Sequence, residues 1–126
     1  VDASLGRRAA AALRSRGVLA PIIAVPDGRW YFLTAPTGSA EPLYSELRST
    51  GMVRSHSTGS WVVLPPTPYL LPSDETTPRR RYHQGVVHWR VKPEVCGWRL
   101  PDSEHVQDAL WTGNDDHVAA LAVAGN

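Results

Sequence analysis

Five histidines (His56, His83, His88, His105 and His117), one cysteine (Cys96) and twelve carboxylates are the groups in this chain that could make or break bonds. No two histidines form an i, i+4 pair on a helical stretch. His83 and His88 stand five apart on one expected strand, on opposite faces, so a single metal cannot easily take both. His88 should share a face with Arg90, although a hydrogen-bonded structural histidine fits the same position. Cys96 sits in a Val-Cys-Gly-Trp turn with no neighbour that would lower its pKa, and reads as inert. Two-metal phosphoryl transfer needs carboxylates converging on strands. Here Asp27, Asp74, Glu75, Glu94, Asp102, Asp115 and Asp116 fall in turns, loops and helices. There is no Gly-x-Ser-x-Gly elbow, no Walker-type phosphate loop and no dinucleotide fingerprint. The residues therefore assign no catalytic group, no metal ligand and no cofactor.

What remains is positive charge interleaved with aromatic rings. Arg29 precedes Trp30, Arg54 lies near His56, Arg79-Arg80-Arg81 runs into Tyr82, and His88-Trp89-Arg90-Val91-Lys92 closes the last strand. Arginines and aromatics on a sheet and its bordering loop can hold phosphate or stack bases. Scattered surface arginines and core tryptophans account for the same residues, so both readings stay open.

The elements that must position these groups follow from local pattern. Residues 4–16 form a helix with Leu5, Ala9, Ala12 and Leu13 on one face, Ser4 as N-cap and Gly17 as C′ residue. Its arginines lie mostly around the other side, as a solvated face or, alternatively, a DNA-facing one. Val18 to Val25 is a strand interrupted by Pro21, hence an edge or bulged strand. Pro26-Asp27-Gly28-Arg29 is turn chemistry, and Trp30 to Ala35 returns as the second strand of a hairpin. Pro42 to Thr50 is a short helix ended by Gly51, and Met52 to His56 a brief strand. Gly59 to Pro66 reads as a buried central strand, since Trp61, Val62, Val63 and Leu64 are apolar on both faces and Pro65-Pro66 stop the ladder. Residues 65–80 hold five prolines and form a long surface loop. Tyr82 to Val91 is the last strand, with Val87, Trp89 and Val91 on one face and Val86, His88 and Arg90 on the other. Two helices follow, one from Asp102 or Ser103 to Trp111 and one from Asp115 or Asp116 to Ala124. The expected fold is α+β, with one mainly antiparallel sheet of about five strands and helices packed on one side.

Composition sets bounds on function. At 126 residues, 42% apolar and 20% charged, the chain has the makeup of one globular domain with a real core. A net charge of +1 argues against a broad, purely electrostatic nucleic-acid binder but leaves room for a local basic patch. A single cysteine excludes an internal disulfide framework and a Cys-rich zinc site. No apolar run is long enough to span a membrane and no signal-peptide pattern is present, so the expected location is cytoplasmic, with no membrane partner. Arginine outnumbers lysine twelve to one, which fits GC-rich coding. The chain opens on Val1, as expected of a trimmed chain or of the tail of something longer.

One family resemblance is present. Gly59-Ser60-Trp61-Val62-Val63-Leu64-Pro65-Pro66-Thr67, followed by Val87-His88-Trp89, resembles the bifunctional DNA primase/polymerase N-terminal (prim-pol) domain of the archaeo-eukaryotic primase superfamily. Those domains carry a Gly-Gly-Tyr-Val-Val-Ala-Pro-Pro-Ser strand, then a Tyr-x-Trp strand after a variable loop. Asp27-Gly28-Arg29-Trp30-Tyr31-Phe32 looks like their upstream Gly-Gly-x-His-Leu-Tyr-Phe hairpin strand. The resemblance covers about residues 4–91, leaves 102–124 as a C-terminal helical segment of the same single domain, and is similar to short actinobacterial members. It implies a primase or polymerase scaffold, but this chain departs from it where the chemistry sits. The family's catalytic histidine corresponds to Trp30, its late metal-binding aspartate falls near Arg54, and its first Asp-x-Asp pair would precede Val1. A degenerate, non-catalytic member is the result, since without those groups the developing charge on a transferred phosphate has no stabiliser.

The leading expectation is therefore an inactive prim-pol-like binding module for single-stranded nucleic acid or a nucleotide, held by Arg29, Arg54, His88 and Arg90. The alternative is a protein-interaction or regulatory module without a nucleic-acid role, supported by the neutral charge balance, the five tryptophans and the Pro-rich loop. A polymerase completed by an upstream segment is a third reading, and the replacement of histidine by Trp30 counts against it.

Overall fold

The computed structural model describes residues 1–35, 45–56, 59–69 and 85–124, with side chains for all of these except 69 and 116–124. Helix α1 spans Ala3–Ser15 and buries Leu5, Gly6, Ala9 and Leu13. Its N-cap is Asp2 rather than Ser4. The Asp2 carboxylate accepts from Ser4 N at 2.8 Å and Leu5 N at 3.4 Å, satisfying two of the donors that a helix start leaves open. Gly17 takes φ 71° just past the C-cap, where Val18 N donates to Leu13 O and Gly17 N to Arg14 O. That pair of bonds is a Schellman ending, and the left-handed backbone it requires explains the glycine.

Strands β1 (Ile22–Ala24) and β2 (Trp30–Phe32) form the expected hairpin, in register Ile22↔Phe32, Ile23↔Tyr31 and Ala24↔Trp30. The three-residue loop 26–28 closes with Gly28 N donating to Val25 O and Val25 N to Arg29 O, and Gly28 has φ 92°. Strand β1 is central in the order β2-β1-β5, with β5 spanning His88–Val91. Pro21 does not make β1 an edge, because it lies buried just before the ladder and offers only its carbonyl, to Leu33 N. The expected irregularity appears on the other side, as a register shift in the β1/β5 pairing between Ile22 and Ile23.

That bulge changes which side chains share a face. Val87 packs with Ile23 and Val25, and Trp89 and Tyr31 lie against the same cluster. Val91 instead packs with Ile22, Ala24 and Trp30, on the face that α1 covers. The extra residue that a bulge inserts moves everything beyond it to the other face, so Val91 does not join Val87 and Trp89 as simple alternation predicts.

The remaining sheet is smaller than expected. Strands β3 (Pro68–Tyr69) and β4 (Gly85–Val86) form a separate two-stranded pair. Val87 links β4 to β5 and donates to Thr67 O at 2.9 Å. Among the described residues there are thus a three-stranded antiparallel sheet and a two-stranded pair, within an α+β architecture, rather than one sheet of about five strands. Neither 52–56 nor 59–66 is a strand. Trp61 is 80% exposed and Leu64 54%, and of this run only Val63 packs against the sheet, on the Ile23–Val25–Val87 face. A β-prone run needs a free edge to join; this one lies over a face instead, and Pro65-Pro66 turn the chain at its end.

Helix α2 covers Ser45–Ser49 and buries Leu47, and α3 is one continuous helix, Ser103–Ala124. Two helices were expected there, one ending at Trp111 and one starting at Asp115 or Asp116. Gly113 is instead a packing residue, since a Cβ on it would meet Arg8 Cβ at 3.1 Å and Ala9 N at 3.3 Å. Leu5, Ala9 and Leu13 of α1, Leu47 of α2 and Val106, Ala109 and Leu110 of α3 form one core cluster. No helix among the described residues is long and apolar enough to cross a membrane. The expected features at 36–44, 57–58 and 70–84, including His83 and Arg79-Arg80-Arg81-Tyr82, lie outside the described residues.

Candidate functional site

A cleft of about 800 Å³ runs along the outer side of β2. Its walls are Trp30 to Thr34, the segments 51–56 and 60–62, and the first turns of α3 at Ser103, Val106, Gln107 and Leu110. Part of the β2 edge is already taken, because Val1 N donates to Trp30 O and Trp30 N to Val1 O, both at 2.8 Å.

Of the four residues singled out by sequence, Arg29 and Arg54 line this cleft, and His88 and Arg90 do not. Arg29 is held by the turn it follows: its Nε lies 2.5 Å from Asp27 Oδ2 and its backbone N donates to Asp27 Oδ1 at 3.0 Å. Arg54 is exposed at the cleft mouth, two residues before His56. The His56 ring meets Tyr31 edge to face, with centroids 5.6 Å apart and planes at 70°. Trp61, read from the sequence as a core residue, also lines the cleft and is open to solvent. The site thus gathers the Arg54 guanidinium, a second one on Arg29 that is paired with Asp27, an edge-on His/Tyr pair and an exposed indole. That surface suits a planar ligand carrying a phosphate at Arg54.

His88 and Arg90 lie on the α1 side of the sheet. His88 is paired in register with Ala24, itself paired with Trp30, and the ring Nδ1 is 3.3 Å from Val86 O. The Arg90 guanidinium lies over the Trp30 ring, 5.6 Å from its centroid. A second arginine, Arg7 of α1, stands 5.7 Å from the same centroid. Sequence reasoning missed Arg7 because it falls on the outer face of an amphipathic helix, where solvated arginine is the ordinary case.

The prim-pol resemblance would set a histidine at Trp30 and a metal-binding aspartate near Arg54. Trp30 is 6% exposed, packed against Gly6, and offers an indole N–H that cannot ligate a metal. Arg54 is a cation. These two positions do not fit a divalent metal, and among the described residues no three His, Cys, Asp or Glu side chains converge as a metal set. Cys96, partly buried at the end of the 3-10 turn Pro93–Cys96, has its thiol pKa pushed up by burial, and its Sγ points at Lys92 O 3.7 Å away. A raised pKa keeps the sulfur protonated and poorly nucleophilic.

Comparison of the chain with protein-family models, with curated proteins and with solved structures gives no match.

Proposed function

We propose that this chain is a non-catalytic binding module for single-stranded nucleic acid or a nucleotide, on a prim-pol-like scaffold. The observation that carries the reading is the cleft along β2, where Arg54 and Arg29 stand beside an exposed Trp61 and the His56/Tyr31 pair. Its volume of about 800 Å³ is that of a small-molecule site. Guanidinium and indole together bind a phosphate and a base without reading sequence. The motif resemblance at 59–67 and 87–89 supports the same reading, and the residues at the family's catalytic positions favour binding over turnover.

Anisotropy of labelled oligonucleotides at low salt tests it. Micromolar, salt-sensitive binding is expected. Trp61→Ala removes one stacking platform, worth about 1–3 kcal/mol, which corresponds to affinity about 5- to 150-fold weaker. Binding that is absent, or indifferent to Trp61→Ala and Arg54→Ala together, sinks the proposal.

A second reading, a protein-interaction module, is favoured by a separate observation. Leu19, Val95 and Leu100, all exposed, border a shallow groove beside Cys96, and Trp98 nearby is 73% exposed. Apolar surface gathered in this way marks interaction sites. A defined partner released by Val95→Asp plus Leu100→Asp, with no oligonucleotide binding, favours this reading over the first.

A further inference from the structure

We infer that Arg7 and Arg90 form a second, separate phosphate-binding site, seated on the Trp30 indole on the α1 side of the sheet. Both guanidiniums lie within 5.7 Å of one ring centroid, so they are no farther apart than the sum of their two distances to it. Both residues are exposed, while the ring beneath them is buried.

The way these two arginines are held sets them apart from several of their neighbours. Arg8 donates to Gly113 O and Ser4 Oγ, Arg16 to Thr112 Oγ1, and Arg29 to Asp27. Each of those positions is fixed by consuming donors. Arg7 and Arg90 are positioned by a ring face, and a cation–π contact spends none of the five N–H groups of a guanidinium. Among the described residues neither is in an ion pair, whereas Arg29 is paired with Asp27. The nearest acid in sequence to Arg7, Asp2, is engaged as the helix cap. Two unneutralised cations brought to one ring repel each other, and a bound anion relieves that repulsion.

The scaffold under the pair is built rather than incidental. Alternation from His88, which is paired with Ala24, puts Arg90 on the face that carries Trp30, and Gly6 lets α1 approach the ring closely enough for its neighbour Arg7 to overhang it. His88, in register through Ala24, adds a third basic group on that face. Planar forks brought to one ring from two elements suit the tetrahedral oxygens of a phosphate. This phosphate comes from a free nucleotide, from the end of a polynucleotide or from its backbone. At Arg90 the inference deepens the nucleic-acid reading and rests on it for the ligand class; the geometry at Arg7 is independent of the cleft.

The test follows the Arg7 and Arg90 Nε–H and Trp30 indole N–H resonances in ¹⁵N spectra, at constant ionic strength set with chloride. The probes are inorganic phosphate, a nucleoside monophosphate, and oligothymidine with and without a 5′-phosphate. Saturable shifts with phosphate are expected, weakened at least tenfold by Arg7→Gln or Arg90→Gln and partly retained in Arg90→Lys. Shifts with phosphate no larger than with chloride overturn the site, and the unsubstituted protein alone decides this if a variant fails to fold. Phosphate or mononucleotide bound at these resonances without any oligonucleotide binding supports the site and removes the nucleic-acid reading. Oligonucleotide bound with these resonances unmoved overturns the site and leaves the cleft reading standing. A response to oligothymidine only when it carries the 5′-phosphate supports the site and assigns it to a terminal phosphate; an equal response without it supports the site and assigns it to the backbone.

Discussion

Gly6→Ala tests the contact on which the α1 side of the sheet depends. A Cβ at position 6 would lie 2.7 Å from Trp30 Cε3, 3.1 Å from Cδ2 and 3.4 Å from Cβ. Carbon pairs prefer about 3.5–4.0 Å, so helix and ring must separate by close to an ångström. The atoms struck are the body of the indole and its Cβ, which cannot swing aside as the tip of a long side chain does. Nor can α1 retreat freely, since Gly113 of α3 presses on it at Arg8 and Ala9. Overpacking of this kind costs about 1–3 kcal/mol. Against it, alanine gains about 1 kcal/mol over glycine inside a helix. The expected net effect is a loss of about 1 kcal/mol, read as a urea midpoint lower by about 0.5 M at unchanged slope. A double-mutant cycle with Trp30→Leu isolates the cause: with the ring gone, Gly6→Ala becomes neutral or stabilising, giving a coupling of about 1–3 kcal/mol. A midpoint equal to or above that of the original chain, with coupling below about 0.3 kcal/mol, refutes the close approach of α1 to Trp30.

Three further outcomes follow from single residues. Asp2→Ala removes the cap of α1 and lowers stability by about 1 kcal/mol, while Asp2→Asn retains most of it, by urea or thermal unfolding. Trp98 holds φ 60° although it is not glycine, and it is largely exposed, so Trp98→Gly relieves backbone strain with little burial lost; stability unchanged or raised by up to about 1 kcal/mol is expected, and a clear loss means the indole packs. Because burial pushes the Cys96 thiol above its ordinary pKa, its reaction with a disulfide reagent at pH 7 is slower than that of a free cysteine and accelerates as the pH rises through its pKa; a rate matching or exceeding the free thiol contradicts this.

The parts of the fold legible in the sequence are those fixed by near neighbours. The Pro26-Asp27-Gly28 turn dictates the β1/β2 hairpin because its backbone angles close the chain on itself, and the spacing of Leu5, Ala9 and Leu13 dictates α1 because helical period and burial agree. What was not legible depends on distant partners. Trp61 to Leu64 has strand composition, yet whether such a run pairs depends on a free edge, and its Trp61 belongs to a cleft instead of a core. The ends expected at Trp111 and at Asp115 or Asp116 vanish once α1 is laid across Gly113. The alternation of 86–91 predicts that His88 and Arg90 share a face, but it cannot reveal the bulge that sends Val91 to the Trp30 side. The site was half legible for the same reason: Arg29 and Arg54 fall in one cleft through β2 and the 51–56 segment, while Arg90 finds its partner on a helix read as solvated.

Trp30 and Tyr31 explain why the basic residues divide into two places rather than one. Adjacent residues on a strand face opposite ways. Trp30 packs with Ile22 and Ala24 under α1, and Tyr31 lies with Ile23 and Val25 on the other face, where His56 meets it. The Arg7/Arg90 pair is therefore built on one face of β2, and the aromatic wall of the cleft on the other. The backbone between them is closed at Trp30, whose N–H and C=O are both bonded to Val1. Trp30 borders both places, carrying Arg7 and Arg90 over its ring and forming part of the cleft wall. A ligand that uses both must be long enough to round the outer edge of β2 past Trp30, toward Phe32, which lines the cleft. On the proposed reading, ligand length rather than base identity then decides whether one molecule occupies both places.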